Sequence, residues 1–316
     1  MTALPVTLAS ELGDGRTEPT WLIDGLWSAS AVGVLGGEPK CCKSFLALDA
    51  AVSVASGRPC LRMFAVHRSG PVLVFPAEDP HAVVRRRLES IATAAGVALR
   101  DLPVHVITAP RLMLDSRDDR RRLDETVAAI KPVLLVLDPF IRLHTIDENA
   151  ASEVAPILGH LRELQRRHNV AVMLVHHARK DARGARPGQA LRGSSDLHGW
   201  GDSNLYLRRL SSGLRLSIEH RAAPGRDNVP LELAELDAGP ALRVIDNADA
   251  DDAPRPQRDA RGRILDALGA SPAAVPSSEL RASCRMRAQT FWRALRELVD
   301  AGNVVRTSDD LYQLTA

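Results

Sequence analysis

The sequence predicts an α/β protein with a mostly parallel sheet, an antiparallel extension and a small C-terminal winged helix-turn-helix domain. Three observations predict it. Buried-type apolar runs such as Val133-Leu134-Leu135-Val136-Leu137 alternate with amphipathic helices up to residue 175, the pattern of a parallel sheet covered on both faces. After residue 200 the runs become short and are separated by Gly and Pro, which reads as antiparallel strands. The tail, residues 258–316, reads as three helices and a hairpin.

Taken in order, residues 1–20 read as a flexible lead-in, and Trp21 to Trp27 as an amphipathic approach to the first strand, Ala31 to Leu35. Phe45 to Ala51 is a helix, Val72 to Phe75 a strand, His81 to Ala95 an Arg-rich helix and Pro103 to Ile107 a shorter strand. Asp115-Ser116 caps a helix that runs to Ile130. Val154, Ile157, Leu158, Leu161 and Leu164 have helical spacing, and Val170 to Val175 is again a strand. Asn204 to Leu207, Leu214 to Ile218, Leu231 to Leu233 and Leu242 to Val244 form the antiparallel extension, which closes a domain at 21–245. Residues 246–257 carry four Asp with Pro254 and Pro256 and no periodicity, so they read as a linker. Helices then follow at Ile264–Leu268, from Ser277, and at Phe291–Leu298, with a wing at Val304–Arg306 and Leu311–Leu314.

Bulk properties exclude several classes. The length of 316 residues suggests about two domains, and 45% hydrophobic with 25% charged residues indicates a globular chain with ample core. A formal charge of +2 does not mark the whole chain as a nucleic-acid binder, so basic surface must be local. The N-terminus has no cationic start with an apolar core, and no apolar run reaches the roughly 18 residues that span a bilayer, so a cytoplasmic protein without membrane contact is expected. Cys41, Cys42, Cys60 and Cys284 show no zinc spacing. Reduced thiols are the expectation, with a Cys41–Cys42 redox switch as the alternative.

The chemistry concentrates at strand ends. The chain's 41 basic residues include only four lysines, and Lys40 and Lys43 lie in Gly37-Glu38-Pro39-Lys40-Cys41-Cys42-Lys43-Ser44-Phe45, between the first strand and its helix. A strand, a Gly-led loop and Lys-Ser opening a helix is the loop that cradles phosphates with backbone N–H groups and a positive helix end. The compact ammonium of Lys43 suits the β/γ-phosphates of ATP, and the Ser44 hydroxyl suits Mg²⁺. Cys42 stands where the pattern has its second Gly, and a positive φ there would cost roughly 1–3 kcal/mol. Asp138, at the end of the strongest strand, is placed to hold Mg²⁺ through water. Glu78, in Ala77-Glu78-Asp79-Pro80, has the reach of a base that orients a water, though these residues could instead cap the next helix. His176-His177-Ala178-Arg179-Lys180 ends the next strand and fits a γ-phosphate sensor. Arg183, Arg186 and Arg192 follow among Gly and Pro, as a basic loop suited to a DNA backbone or a solvated connection.

These motifs, in this order and joined by Leu137-Asp138-Pro139, Arg142-Leu143-His144…Asp147-Glu148-Asn149 and Arg192-Gly193-Ser194-Ser195, resemble the RecA-like P-loop ATPases related to the hexameric replicative helicase RepA. The resemblance covers residues 20–245. It implies ATP hydrolysis at the subunit interfaces of a homo-oligomeric ring, with Glu78 as base and His176 or His177 coupling the γ-phosphate to a loop on single-stranded DNA in the central channel. It also places an arginine finger after Ser195. This chain has Trp200-Gly201-Asp202-Ser203 there, so Arg208, Arg209 and Arg221 are the substitutes. The tail resembles winged-helix DNA-binding domains, with Arg285, Arg287, Gln289, Thr290, Arg293 and Arg296 facing duplex DNA. The leading expectation is a DNA-dependent ATPase of the helicase or translocase type. The alternatives are an ATP-gated DNA-binding regulator with little turnover, and a recombination or defence ATPase that acts on DNA without unwinding it.

Overall fold

The computed structural model describes residues 6–11, 21–177, 195–210, 213–245, 260–269, 271, 274–284, 288–308 and 310–315. The expected linker and the basic loop carrying Arg183, Arg186 and Arg192 lie outside them, as do most of the lead-in, Arg285 and Arg287. The chain divides into two compact units, 1–246 and 247–316.

In the first unit, the expected amphipathic approach is instead a small antiparallel ribbon, β1 (Trp21–Ile23) with β2 (Trp27–Ser28). Gly25 turns the ribbon at φ +59°, and Leu22, Ile23, Leu26 and Trp27 are all buried, so this segment belongs to the core. The main elements follow as β3 (Val32–Gly37), α1 (Lys43–Ser56), β4 (Val72–Pro76), α2 (His81–Ala94) and β5 (Val104–Val106). Then come α3 (Arg117–Ile130), β6 (Leu134–Asp138), α4 (Ala151–His168) and β7 (Ala171–His177). The unit closes with α5 (Ser195–Trp200), β8 (Ser203–Leu210), β9 (Gly213–His220), β10 (Arg226–Leu236) and β11 (Gly239–Val244).

Local chemistry sets the helix ends. Ser116 Oγ accepts from Asp119 N at 3.4 Å to open α3, and Asp118 and Asp119 favour the positive end of that helix. Helix α4 carries Arg166, Arg167 and His168 in its last turn and stops at Asn169, which is left-handed at φ +51°.

The strands from β3 to β11 form one nine-stranded sheet in the order β11-β10-β9-β8-β3-β7-β6-β4-β5. Pairing is parallel from β8 to β5 and antiparallel from β8 to β11. The run Asn204–Leu207, expected among the antiparallel strands, is thus the junction, parallel to β3 on one side and antiparallel to β9 on the other. Period-2 alternation gives each face its own core. Leu35, Val74, Val136 and Val175 meet α1 and α2, while Val34, Leu73, Leu135 and Leu174 meet α3 and α4. Each fully buried Val or Leu contributes about 1.5–3 kcal/mol, so these two layers hold the strands in register and their ends along one edge.

The second unit contains α6 (Ala260–Gly269), β12 (Val275–Pro276), α7 (Ser277–Cys284), α8 (Ala288–Asp300), β13 (Val304–Ser308) and β14 (Leu311–Leu314). Its sheet runs β12-β14-β13, all antiparallel. The two-residue β12 is an addition to the expected hairpin; a strand that short, ending in proline, gives no periodic signal. Ile264, Leu268, Leu280, Phe291, Leu295, Leu298, Val304 and Tyr312 form a core of their own.

One close approach controls the β3–β8 pairing. A Cβ at Gly33 would lie 1.7 Å from the Ser203 carbonyl oxygen. Gly33→Ala is expected to force the two strands apart and cost roughly 1–3 kcal/mol. A denaturant midpoint equal to wild type would show that the strands do not approach this closely.

Candidate functional site

Five strand ends build the site. Register pairs Gly37 with His177 and Leu207, and Pro76 with Asp138, so the carboxyl ends of β3, β7, β8, β4 and β6 reach one edge of the sheet. Open α/β sheets present ligands at this edge. A cleft of about 290 Å³ lies there, lined by Lys40, Cys41, Cys42, Lys43, Ser44, Phe45, Glu78, Asp79, Arg87, Asp138, Pro139 and His177.

The loop between β3 and α1 is shaped by close packing. A Cβ on Gly37 would meet the Leu207 carbonyl oxygen at 2.4 Å and Cys41 Sγ at 2.7 Å, so only glycine fits. Lys40 (φ +63°) and Cys42 (φ +67°) both occupy the left-handed region. The Cys42 position therefore has the conformation that favours glycine, with a cost of roughly 1–3 kcal/mol. Cys42 precedes α1 without a side-chain cap, so the first-turn N–H groups of the helix have no side-chain acceptor from it. Arg209, from β8, reaches over the loop, donating to the Lys40 carbonyl at 3.4 Å and lying 3.7 Å from Cys42 Sγ.

Lys43 is buried at 6% exposure, and its Nζ donates to the carbonyls of Gly37 at 2.9 Å and Glu38 at 2.8 Å. Burial pulls its pKa below the usual lysine value, against the opposing pull of Cys41 and Asp138. Asp138 is pushed up to about 6, first by burial and then by the nearby Asp79 and Glu78 carboxylates, while a hydrogen bond from Ser44 and the Lys43 charge oppose the rise. Ala77 N donates to the Asp138 carbonyl at 2.7 Å, which ties the tips of β4 and β6 together. Glu78 Oε1 accepts from Arg142 Nε at 2.7 Å, and Asp79 Oδ2 from Arg87 Nη1 at 2.5 Å. The Arg87 guanidinium also lies 5.1 Å above the Phe45 ring. Burial lowers the pKa of His177, and Lys43 lowers it further, so the ring facing the cleft is neutral at pH 7.

The two adjacent histidines separate. Strand alternation puts His177 in the cleft and His176 on the opposite face, 1% exposed and against Phe140 at 5.8 Å between ring centroids. His176 is therefore not a cleft residue, contrary to the expectation that either could read the phosphate. Arg221, a candidate finger, is engaged within its own chain: it donates to the Gly199 carbonyl at 2.6 Å and pairs with Asp202 at 3.4 Å. Arg209 lies on its own loop, and Arg208 is half-buried on β8. Arg87, in the cleft lining, and Arg142, which reaches the cleft only through Glu78, are not among the expected site residues. Arg87 lies only eight residues after its partner Asp79, a local spacing, whereas Arg142 meets Glu78 from a different strand end, which no local spacing signals. Gln289 and Thr290 lie on α8, whose exposed side chains include Arg293 and Arg296.

The donor set fits a triphosphate with a divalent cation. It provides an uncapped helix start, a buried ammonium, a hydroxyl hydrogen-bonded to a carboxylate, and His177 Nδ1, buried without a hydrogen-bond partner. A larger groove of about 910 Å³ along α2 and β5 has none of these groups in its lining. No described helix is long and apolar enough to cross a membrane.

Comparisons with known proteins bear on the fold and the family. The solved RadB recombinase superposes with a TM-score of 0.50 at 18% identity, over 69% of this chain and 91% of RadB. A second solved structure, an isolated ATPase domain, superposes with a TM-score of 0.54 at 15% identity, over 68% of this chain and 86% of that domain. These likenesses establish the fold, which is RecA-like. The model of the AAA domain family AAA_25 matches residues 2–183, a span that contains the phosphate loop, Glu78 and Asp138. With a RecA-like core and a family model covering most of it, the chain belongs to the AAA_25 family of AAA-domain P-loop ATPases.

Proposed function

We propose that the protein hydrolyses ATP with Mg²⁺ and uses the cycle to act on DNA, as a helicase or translocase. One observation carries the ATPase reading: Lys43, Ser44, Glu78, Asp138 and His177 line a single cleft at the carboxyl edge of the sheet. Lys43, freed from the Gly37 and Glu38 carbonyls, would bind the β/γ-phosphates, and the backbone of residues 38–44 would cradle them. Ser44 and Asp138 would hold Mg²⁺, which supplies charge neutralisation on the phosphate oxygens. Glu78 would orient a water in line with the γ-phosphate and accept its proton. His177, neutral and facing the same cleft, would detect whether that phosphate is present.

Several features support the DNA reading. The fold is shared with the RadB recombinase. Among the described residues the second unit combines three helices with an antiparallel sheet, and α8 exposes Arg293 and Arg296, which suits a winged helix on duplex DNA. Arg183, Arg186, Arg192, Arg285, Arg287, Gln289 and Thr290 complete the proposed contacts, the first three on single-stranded DNA in a ring channel, and the ring itself would be a homo-oligomer such as a hexamer. Arg208 is the remaining candidate for a charge given to a neighbour, since Arg209 and Arg221 are held within the chain. A second reading, an ATP-gated regulator with little turnover, is favoured by Cys42, which holds a left-handed conformation at φ +67° in the phosphate loop. A strand-displacement assay, run with size analysis with and without ATP and Mg²⁺, separates the two.

Lys43→Ala is expected to abolish turnover, and Glu78→Gln to retain ATP without hydrolysing it. Unchanged hydrolysis in either variant would remove that residue from its role. The Asp138 carboxyl gives a pH dependence. Its folded value of about 6 exceeds the unfolded 3.8, so the metal-free fold holds an extra proton between them. That stabilisation, about 3 kcal/mol at most, is complete below the unfolded value and is lost as pH rises through about 6. In EDTA, thermal stability should therefore fall more between pH 5 and 7 in wild type than in Asp138→Asn, and parallel curves would contradict this. Arg293→Ala is expected to weaken duplex binding similarly across sequences and to lower the salt slope by about 1. An unchanged slope in a salt titration would take Arg293 off the DNA.

A further inference from the structure

We propose that Arg142 is a positioning residue for Glu78, and that a buried His144–Glu148–His176 cluster on the far face of the sheet fixes the turn that carries it. This rests on the reading of Glu78 as the base for ATP hydrolysis.

Phe140–Arg142 form a single 3-10 turn directly after Asp138-Pro139. The turn is anchored on both sides of Arg142. Phe140 and Leu143 are 0% exposed, His144 is 7% exposed, and the Leu143 carbonyl accepts from Leu114 N at 2.5 Å. Arg142 itself remains at the surface, with Nε 2.7 Å from Glu78 Oε1.

Behind the turn, the Phe140 ring packs against both imidazoles, at 4.3 Å from His144 and 5.8 Å from His176 between centroids. Glu148, 6% exposed, places Oε1 3.4 Å from His144 Nε2 and 3.9 Å from His176 Nδ1. These contacts are ion-pair distances between buried groups without hydrogen-bond geometry, so the packing of both rings on Phe140 holds the cluster together alongside the carboxylate. The cluster therefore joins the residues just after the β6 turn, the end of the segment leading to α4, and the end of β7.

Two consequences reach the cleft. The end of β7 that holds His176 also carries His177, so the sensor and the Arg142 turn share one anchor. A planar guanidinium on a fixed turn restricts the rotamers of Glu78, whose flexible chain would otherwise be free at the lip of the cleft. With Oε1 engaged by Arg142, Oε2 is the oxygen left to align the attacking water. A misplaced base loses rate without losing substrate, because Arg142 and Glu148 are not among the groups that line the phosphate cleft.

The experiment measures steady-state ATP turnover, and binding of a fluorescent ATP analogue with Mg²⁺, on the full chain. The proteins are wild type, Arg142→Ala, Arg142→Lys, Glu148→Gln and the Arg142→Ala/Glu148→Gln double variant. Arg142→Ala is expected to lower kcat about tenfold while KM and analogue affinity stay within about twofold. Arg142→Lys should recover only part of the loss, since an ammonium lacks the guanidinium fork. Glu148→Gln should lower kcat in the same way, and the double variant should lose no more than the worse single variant, as for groups acting as one unit. Turnover by Arg142→Ala equal to or above wild type overturns the positioning role. Multiplicative losses in the double variant overturn the link to Glu148. Arg142 is exposed, so its variants keep the test open if Glu148→Gln fails to fold. Wild type that binds nucleotide without any turnover overturns the hydrolysis reading first, and this proposal with it.

Discussion

In-register parallel pairing of β3, β7, β6 and β4 is the constraint on which the site depends. Each strand end, or the segment that follows it, brings polar residues to the site, and none of these could act alone. Pairing of Gly37 with His177 and of Pro76 with Asp138 brings them to a common edge. A slip of one residue in any pair would turn its side chains to the other face. The buried alternation that prevents such a slip is supplied by Val, Leu and Met side chains that are absent from the cleft lining. The chemistry is thus registered by hydrophobic packing, and the polar residues need only be placed at the strand ends.

Much of this could be read from the sequence because the signals are local. The apolar runs, the Ser116 cap, and Lys-Ser at the start of a helix each depend on a few neighbouring residues. The separation of His176 from His177 was also available, since alternation along a strand forbids both from facing one cleft. The β1–β2 ribbon was missed because its buried Leu22, Ile23, Leu26 and Trp27 have no clean period of two or of 3.6. The pairing of Arg142 with Glu78 spans 64 positions in the chain, and that of Arg209 with the phosphate loop 169. Such contacts follow from the order of strands in the sheet, which no local pattern encodes. In a chain with so many arginines, composition gives no hint of which ones turn inward.

The loop around Cys42 shows how a departure from pattern is absorbed. The backbone keeps the left-handed conformation, and the side chain that glycine would lack is met by Arg209 from the neighbouring strand end. Burial raises the pKa of the Cys42 thiol, and Arg209 opposes the rise. Cys41, beside it, is buried and likewise raised, mainly by burial. Burial thus favours the thiol form of both sulfurs over the thiolate despite the surrounding positive charge.

The last strand of the sheet reaches back to its first helices. Ser90 on α2 donates to the Pro240 carbonyl at 2.9 Å, and Arg62, which is paired with the buried Asp49 of α1, donates to the Leu242 carbonyl at 2.5 Å. Residues made early in translation thus wait for partners made about 180 positions later, the separation of Arg62 from Leu242. A nascent chain on the ribosome cannot complete the packing of α1 and α2 until β11 has left the exit tunnel, so this unit matures late rather than stepwise from its N-terminus.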